Sequence, residues 1–300
     1  MPWIPEWLGV PYCIFQANYG SREFTFEEAK KDLGILEANL LKILSELGRY
    51  GFLLSKIENK SRRYVVVDFN SIAHGVKANS DLKNLDTPEK LRRVKGYGKN
   101  YLIVGSSAAF FYHAYQFPTR YEIEVYPRDY GFWKQLLPEA EIKPTLTDPK
   151  FRAKKIIDGL YVAPPERVVV EGIKKGGVSS ALDSTSVLVS ENGLKNLDWT
   201  KLEEYATQHQ VVNEIGAVLE ALSVELTKEY GKSPIPKAVL SRLHSHIRNT
   251  GRIKQYPRDI IQKDESYLEI GKTWRLRLYL PEDVIRKPVE DIAPFSLRVV

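Results

Sequence analysis

Two helical stretches joined at a glycine and followed by a basic hairpin, all between Phe24 and Asp68, constrain this chain more than any other feature. Thr25 carries a hydroxyl that can cap the orphan amides of the turn it precedes, and Glu27 and Glu28 stand where the positive end of a helix dipole favours acids. FTFEEAKKDLG is therefore expected to be a capped helix that stops near Gly34. Beyond it, Leu36, Leu40, Ile43, Leu44 and Leu47 recur at helical spacing, so one stripe faces a core and the opposite face is free. Gly48 and Gly51 end that run. FLLSKIENKSRRYVVVD then supplies two strand-forming runs either side of Glu58-Asn59-Lys60-Ser61, a polar turn whose Asn suits a left-handed conformation. This order of parts is that of a winged helix-turn-helix, in which the second helix enters the major groove of duplex DNA and the wing tip meets phosphate or the neighbouring minor groove. The residues best placed for contact are Glu37, Asn39 and Lys42 on the helix and Lys60, Arg62 and Arg63 on the wing, with Lys56 beside them.

Charge leaves a second use open. From Met1 to Gly75 nine Lys or Arg face nine Asp or Glu, so the module is neutral as a whole, with acids concentrated in the first helix and bases on the wing. Phosphate binding depends on local charge, which favours DNA, while a neutral winged helix can equally serve as a protein-binding module. The whole chain, at 300 residues and a net charge of +6, has room for two domains and leans modestly toward an anionic partner. Its single cysteine, Cys13, excludes an internal disulfide framework and fits a reducing cytoplasm. With Tyr12, Ile14 and Phe15 as neighbours, Cys13 reads as a small buried hydrophobe. MPWIPEWLGV lacks a positive leader and a long apolar core, so no secretion signal is expected. Tyr101 to Thr119 is free of charge but interrupted by Gly105, Ser106, Ser107, His113, Gln116 and Pro118, which suits a buried strand, turn and helix and not a membrane span.

The expected fold class is α+β: a winged helix-turn-helix over 1–75, a linker helix over 76–100 and a mixed α/β domain over 101–300. In the last, YLIVGSSAAFFYHAYQF gives strand, glycine turn and helix, and RYEIEVYP an alternating strand. DGLYVAPPERVVVEGIKKGG gives a strand, a proline-initiated helix and a glycine stop. DWTKLEEYA opens a helix, and TWRLRLYLP alternates as a strand with one buried face.

Taken at VAPPERVVVEGIKKGG, DWTKLEEYATQHQVVNEIGAVLEAL and GKTWRLRLYL, with the winged helix ahead of them, the chain resembles AbiEi-type antitoxins of the type IV toxin-antitoxin systems. YLIVGSSAAFFYHAY is similar to the core helix of that family. The resemblance implies a winged helix that binds inverted repeats upstream of its own operon and represses transcription. It implies a second domain that counters a separately encoded nucleotidyltransferase toxin, directly or indirectly. Glu37, Asn39, Lys42 and Arg62 would then be operator contacts. No cofactor, metal or catalytic residue is implied.

Other constellations compete with that reading. Gly105-Ser106 could be a phosphate-approach turn with Glu122 and Glu124 as paired metal-binding carboxylates, as in a nucleotidyltransferase-fold enzyme or an inactive relative. Against it, the strand offers Glu where Asp is usual, no third carboxylate is evident, and a half-exposed strand alternates charge anyway. From Gly231 to Arg258 seven bases meet no acid, and Arg242, Arg248, Arg252, Lys254 and Arg258 form a possible second basic surface or a solvated helix face. His113 near Ser106 and Ser107 lacks a nucleophile elbow and reads as a packed core histidine. Pro164-Pro165-Glu166-Arg167 opens a helix, with Arg167 expected to make a solvated pair with Glu171.

Overall fold

A computed structural model describes residues 4–58, 61–145, 154–247, 265–276 and 282–296. The elements run α1 (Glu6–Tyr19), β1 (Glu23–Thr25), α2 (Phe26–Leu33), α3 (Glu37–Arg49), β2 (Leu53–Glu58), β3 (Ser61–Val66), α4 (Phe69–Asp81) and α5 (Thr87–Arg93). They continue with β4 (Tyr101–Ile103), α6 (Gly105–His113), β5 (Glu122–Val125), α7 (Tyr130–Leu136), β6 (Glu141–Pro144), β7 (Lys155–Ile157) and β8 (Leu160–Val162). Helices then dominate: α8 (Pro165–Lys175), α9 (Val178–Val189), α10 (Glu191–Asn196), α11 (Trp199–Gln208), α12 (Val212–Tyr230), α13 (Lys237–Ser245), α14 (Glu265–Thr273), α15 (Glu282–Asp291) and α16 (Ala293–Ser296). The chain is mixed α+β, and none of the described helices is long and apolar enough to cross a membrane.

Two compact units share the chain. The first takes Met1–Tyr101 and Ile123–Arg152, the second Leu102–Glu122 and Ala153–Val300. The expected boundary at Gly75 falls inside α4, because α4 crosses α7 so closely that a Cβ on Gly75 would overlap the backbone of Phe132. That contact ties residues 69–81 and 130–136 into one unit.

In the first unit, α1 sets Leu8, Tyr12, Phe15 and Tyr19 on one buried stripe, although Pro11 lies within it. Cys13 is on the other side of that helix and is exposed, so the expectation of a buried thiol is corrected: its neighbours Tyr12 and Phe15 take the inward positions. The three-stranded sheet has the order β1-β3-β2, all antiparallel, with Phe24 and Ser55 both opposite Tyr64. Phe24 is stacked between Tyr19, at 4.4 Å, and Tyr64, at 5.6 Å. Leu40, Leu44 and Leu47 of α3 close this core, each burial contributing about 1.5–3 kcal/mol as an upper bound. Strands β5 and β6 also lie side by side.

The second unit pairs β4 with β8 in parallel, Ile103 opposite Val162, and β8 with β7 as an antiparallel hairpin. Asp158 and Gly159 form its two-residue loop with φ of +49° and +77°, the signature of a type I′ turn. Helices α8 and α9 approach so tightly at Gly172 that a Cβ there would overlap the Ser184 hydroxyl. Gly216 of α12 likewise leaves room for the Trp274 ring, whose carbonyl accepts from Asn213 Nδ2 at 3.0 Å. Thr273 ends α14, and Trp274 and Arg275 form a turn, so TWRLRLYLP does not begin as the expected strand. The indole seated on Gly216 holds that turn against α12, and residues 277–281 lie outside the described residues.

Candidate nucleic-acid interface

The local chemistry of α2 fixes where α3 begins. Thr25 Oγ1 accepts from the Glu28 N–H at 3.2 Å, and Glu28 Oε2 accepts from the Thr25 N–H at 2.7 Å, a complete capping box. Those bonds, foremost the one to the Thr25 backbone, hold the Glu28 carboxyl below its ordinary range. Gly34 stops the helix in the left-handed region at φ +61°, and the chain re-enters helix at Glu37. Lys30 Nζ meets Glu37 Oε1 at 2.5 Å, joining the end of α2 to the start of α3.

With Leu40, Ile43, Leu44 and Leu47 turned inward, α3 exposes Glu37, Asn39, Leu41 and Lys42. Two of the expected contacts are engaged within the molecule. Glu37 is held by Lys30, and the Lys42 ammonium stands 5.4 Å from the ring centre of Trp7 on α1. Asn39 is exposed and turned outward. Trp7 lies on α1, a helix that Pro11 obscures in the sequence although the 4-3-4 spacing of Leu8, Tyr12, Phe15 and Tyr19 signals it.

On the hairpin, the two adjacent arginines separate. Successive strand residues point to opposite faces, and Tyr64 is buried, so Arg62 shares the inner face with Tyr64 and Arg63 takes the other. Arg63 is opposite Thr25 and Lys56. Lys56 is itself bridged to Glu23 at 2.6 Å and Glu58 at 3.4 Å, so that face carries as much acid as base. Arg62 is exposed and has no ion pair among the described residues. Lys60, the expected wing-tip contact, lies outside the described residues. The sequence grouped Arg62 and Arg63 as one pair of contacts; strand alternation divides them.

Of the second basic surface, Arg242 forms a bidentate pair with Glu203, at 2.9 Å from Nε and 2.6 Å from Nη2. Arg248, Arg252, Lys254 and Arg258 lie outside the described residues.

The nucleotidyltransferase elements take a different arrangement from the one their spacing suggests. Gly105 opens α6 at φ +58°, and the Glu122 carboxylate sits where its Cβ would be, with Oε2 within 2.5 Å of that position. Ser106 N–H donates to Glu122 Oε1 at 3.2 Å, and Glu122 N–H donates to the Ser107 hydroxyl at 2.8 Å. An internal carboxylate therefore fills the ground at the helix start that a phosphate would need. Glu122 is 6% exposed and Glu124 half-buried, which corrects the expectation of a solvent-facing charged strand: Ile123 and Val125 are also fully buried. No group of three His, Cys, Asp or Glu among the described residues could hold a metal.

Charge also lies inside the helical part of the second unit. Arg167 is buried, its Nε donating to Glu171 Oε1 at 2.7 Å, so the expected solvated pair is corrected for its cation, while Glu171 stays partly exposed: α6, α9 and α11 all pack against α8. Glu166 is buried as well, and its Oε1 accepts from the Asp198 N–H at 2.5 Å ahead of α11. Burial pushes its carboxyl up. His113, a core histidine as expected, accepts the Tyr115 N–H on Nδ1 at 2.9 Å, and its Nε2 is 3.6 Å from Asp183 Oδ1, beyond hydrogen-bonding range.

Compared with protein-family models, curated proteins and solved structures, the chain finds no match.

Proposed function

We propose that residues 6–66 act as a winged helix that binds duplex DNA, and that the protein is a transcriptional regulator. The observation that carries this reading is the connectivity α1-β1-α2-α3-β2-β3 closed by the β1-β3-β2 sheet. In it, α3 exposes Asn39 and Lys42 and the hairpin exposes Arg62. These side chains combine an amide that can pair with base edges and cations suited to phosphate. The resemblance of the sequence to AbiEi-type antitoxins extends the proposal. The DNA would be an inverted repeat upstream of the protein's own gene, and the second unit would serve antitoxicity against a nucleotidyltransferase, directly or indirectly. Catalysis is left out of the proposal because the Glu122 carboxylate occupies the turn at Gly105.

One observation favours a protein partner as a second reading. Leu36, just ahead of α3, and Ile57 on β2 are 76% and 73% exposed, and a protein surface would bury them.

Gel mobility and fluorescence anisotropy with the upstream fragment test the proposal. The expected result is a complex that forms at low salt, outcompetes a scrambled fragment of equal length and weakens steeply as salt rises. Equal binding to both fragments, or none at low salt, would remove the regulator reading and leave the protein-binding one.

A further inference from the structure

Within the first unit, α3, the β2–β3 hairpin and the α7–β6 segment border a half-open cavity of about 420 Å³. That volume falls inside the range of roughly 300–1,000 Å³ typical of small-molecule sites. Leu44, Ile142 and Pro144 give it one apolar side, suited to a hydrocarbon or aromatic body, while more of its exposed lining is polar. Ser55 and Tyr64, directly opposite each other on adjacent strands, also line it. Among the described residues, Arg62 is the one charged side chain of the lining, and no carboxylate lines the cavity or pairs with Arg62. A planar guanidinium beside one apolar side, with no counter-ion among the described residues, matches a carboxylate on an apolar body.

We propose that this cavity is a binding site for a small amphipathic carboxylate, an aryl or alkyl acid whose apolar part lies against Leu44, Ile142 and Pro144 and whose carboxylate pairs with Arg62. Because Arg62 is also the hairpin cation offered to DNA, the ligand and DNA compete for it, and the acid acts as an effector that releases DNA. The competition rests on the DNA-binding reading; the site itself does not.

The test uses the full chain without DNA. Calorimetry with 1-naphthaleneacetate and with its uncharged counterpart 1-naphthaleneacetamide separates charge recognition from general stickiness. The acid is expected to bind about tenfold or more tightly than the amide, the ratio one charge-assisted pair supplies. In Arg62→Gln that preference should vanish while weak binding of both remains, and in Ser55→Phe, which fills the cavity, both should cease to bind. Arg62 is exposed and its exchange leaves the core intact, so loss of preference cannot arise from misfolding. Equal binding of acid and amide, a preference that survives in Arg62→Gln, or no binding of either at millimolar concentration would overturn the site. Binding of the acid that leaves the DNA complex unchanged would keep the site and overturn the competition, and absence of any DNA complex would overturn the regulator reading alone.

Discussion

The surface of α3 and the hairpin carries its charges in the open, whereas α8 carries Glu166 and Arg167 inside. The difference is instructive about what a charged residue is for. A buried charge must have its partners fixed by the fold, as Glu171 is for Arg167 and the Asp198 amide is for Glu166. Such a group is committed to structure. Arg62, with no ion pair among the described residues, is uncommitted and available to a partner.

The largest expected effect tests the committed side. Arg167→Ala should cost about 3 kcal/mol of stability, since it removes a large buried side chain and leaves a cavity in its place. Urea denaturation checks this, and a loss under about 1 kcal/mol would show that Arg167 contributes no more than a surface ion pair does. Glu166 gives a signed pH test. Its folded pKa is raised above the unfolded one, so the folded state holds the proton more tightly, and stability falls as pH rises through the window above the ordinary carboxylate value. Glu166→Gln should therefore flatten the decline in urea midpoint as pH rises above the ordinary carboxylate range, keeping an oxygen to accept the Asp198 N–H. An undiminished decline in the variant would assign it to other groups. Thr25→Ala, which removes the capping hydroxyl of α2, should cost about 1 kcal/mol. Thermal melts would register it, and an unchanged midpoint would mean that packing alone sets the start of α2. Smallest of all, Lys30→Ala should leave the melting temperature where it is, because the Lys30–Glu37 pair is solvated on both sides. A clear drop would make that pair a structural element on a par with Arg167.

The same contrast explains what the sequence revealed. Helix α2 was legible from Thr25 and Gly34, and α3 from its leucine stripe, because caps and periodicity are local. Helix α1 was hidden by Pro11, and α4 by its polar composition and by Gly75, whose lack of a side chain serves the crossing with α7 and does not mark an end. The burial of Arg167 and Glu122 could not be read from spacing, since it depends on which distant elements cover them. The division of Arg62 from Arg63 was legible in principle. Strand alternation from Tyr64, a residue of core type, is enough to assign each to its face.

As proposed, Arg62, on the inner face of the hairpin, is the hairpin's cation for DNA and Arg63 is not. The direct measurement is the salt dependence of binding to the upstream fragment for the native chain, Arg62→Ala and Arg63→Ala. The account predicts that Arg62→Ala lowers the slope of log affinity against log salt by about one, the loss of a single phosphate contact, while Arg63→Ala leaves it unchanged. An unchanged slope in Arg62→Ala, or an equal reduction in both, would contradict it.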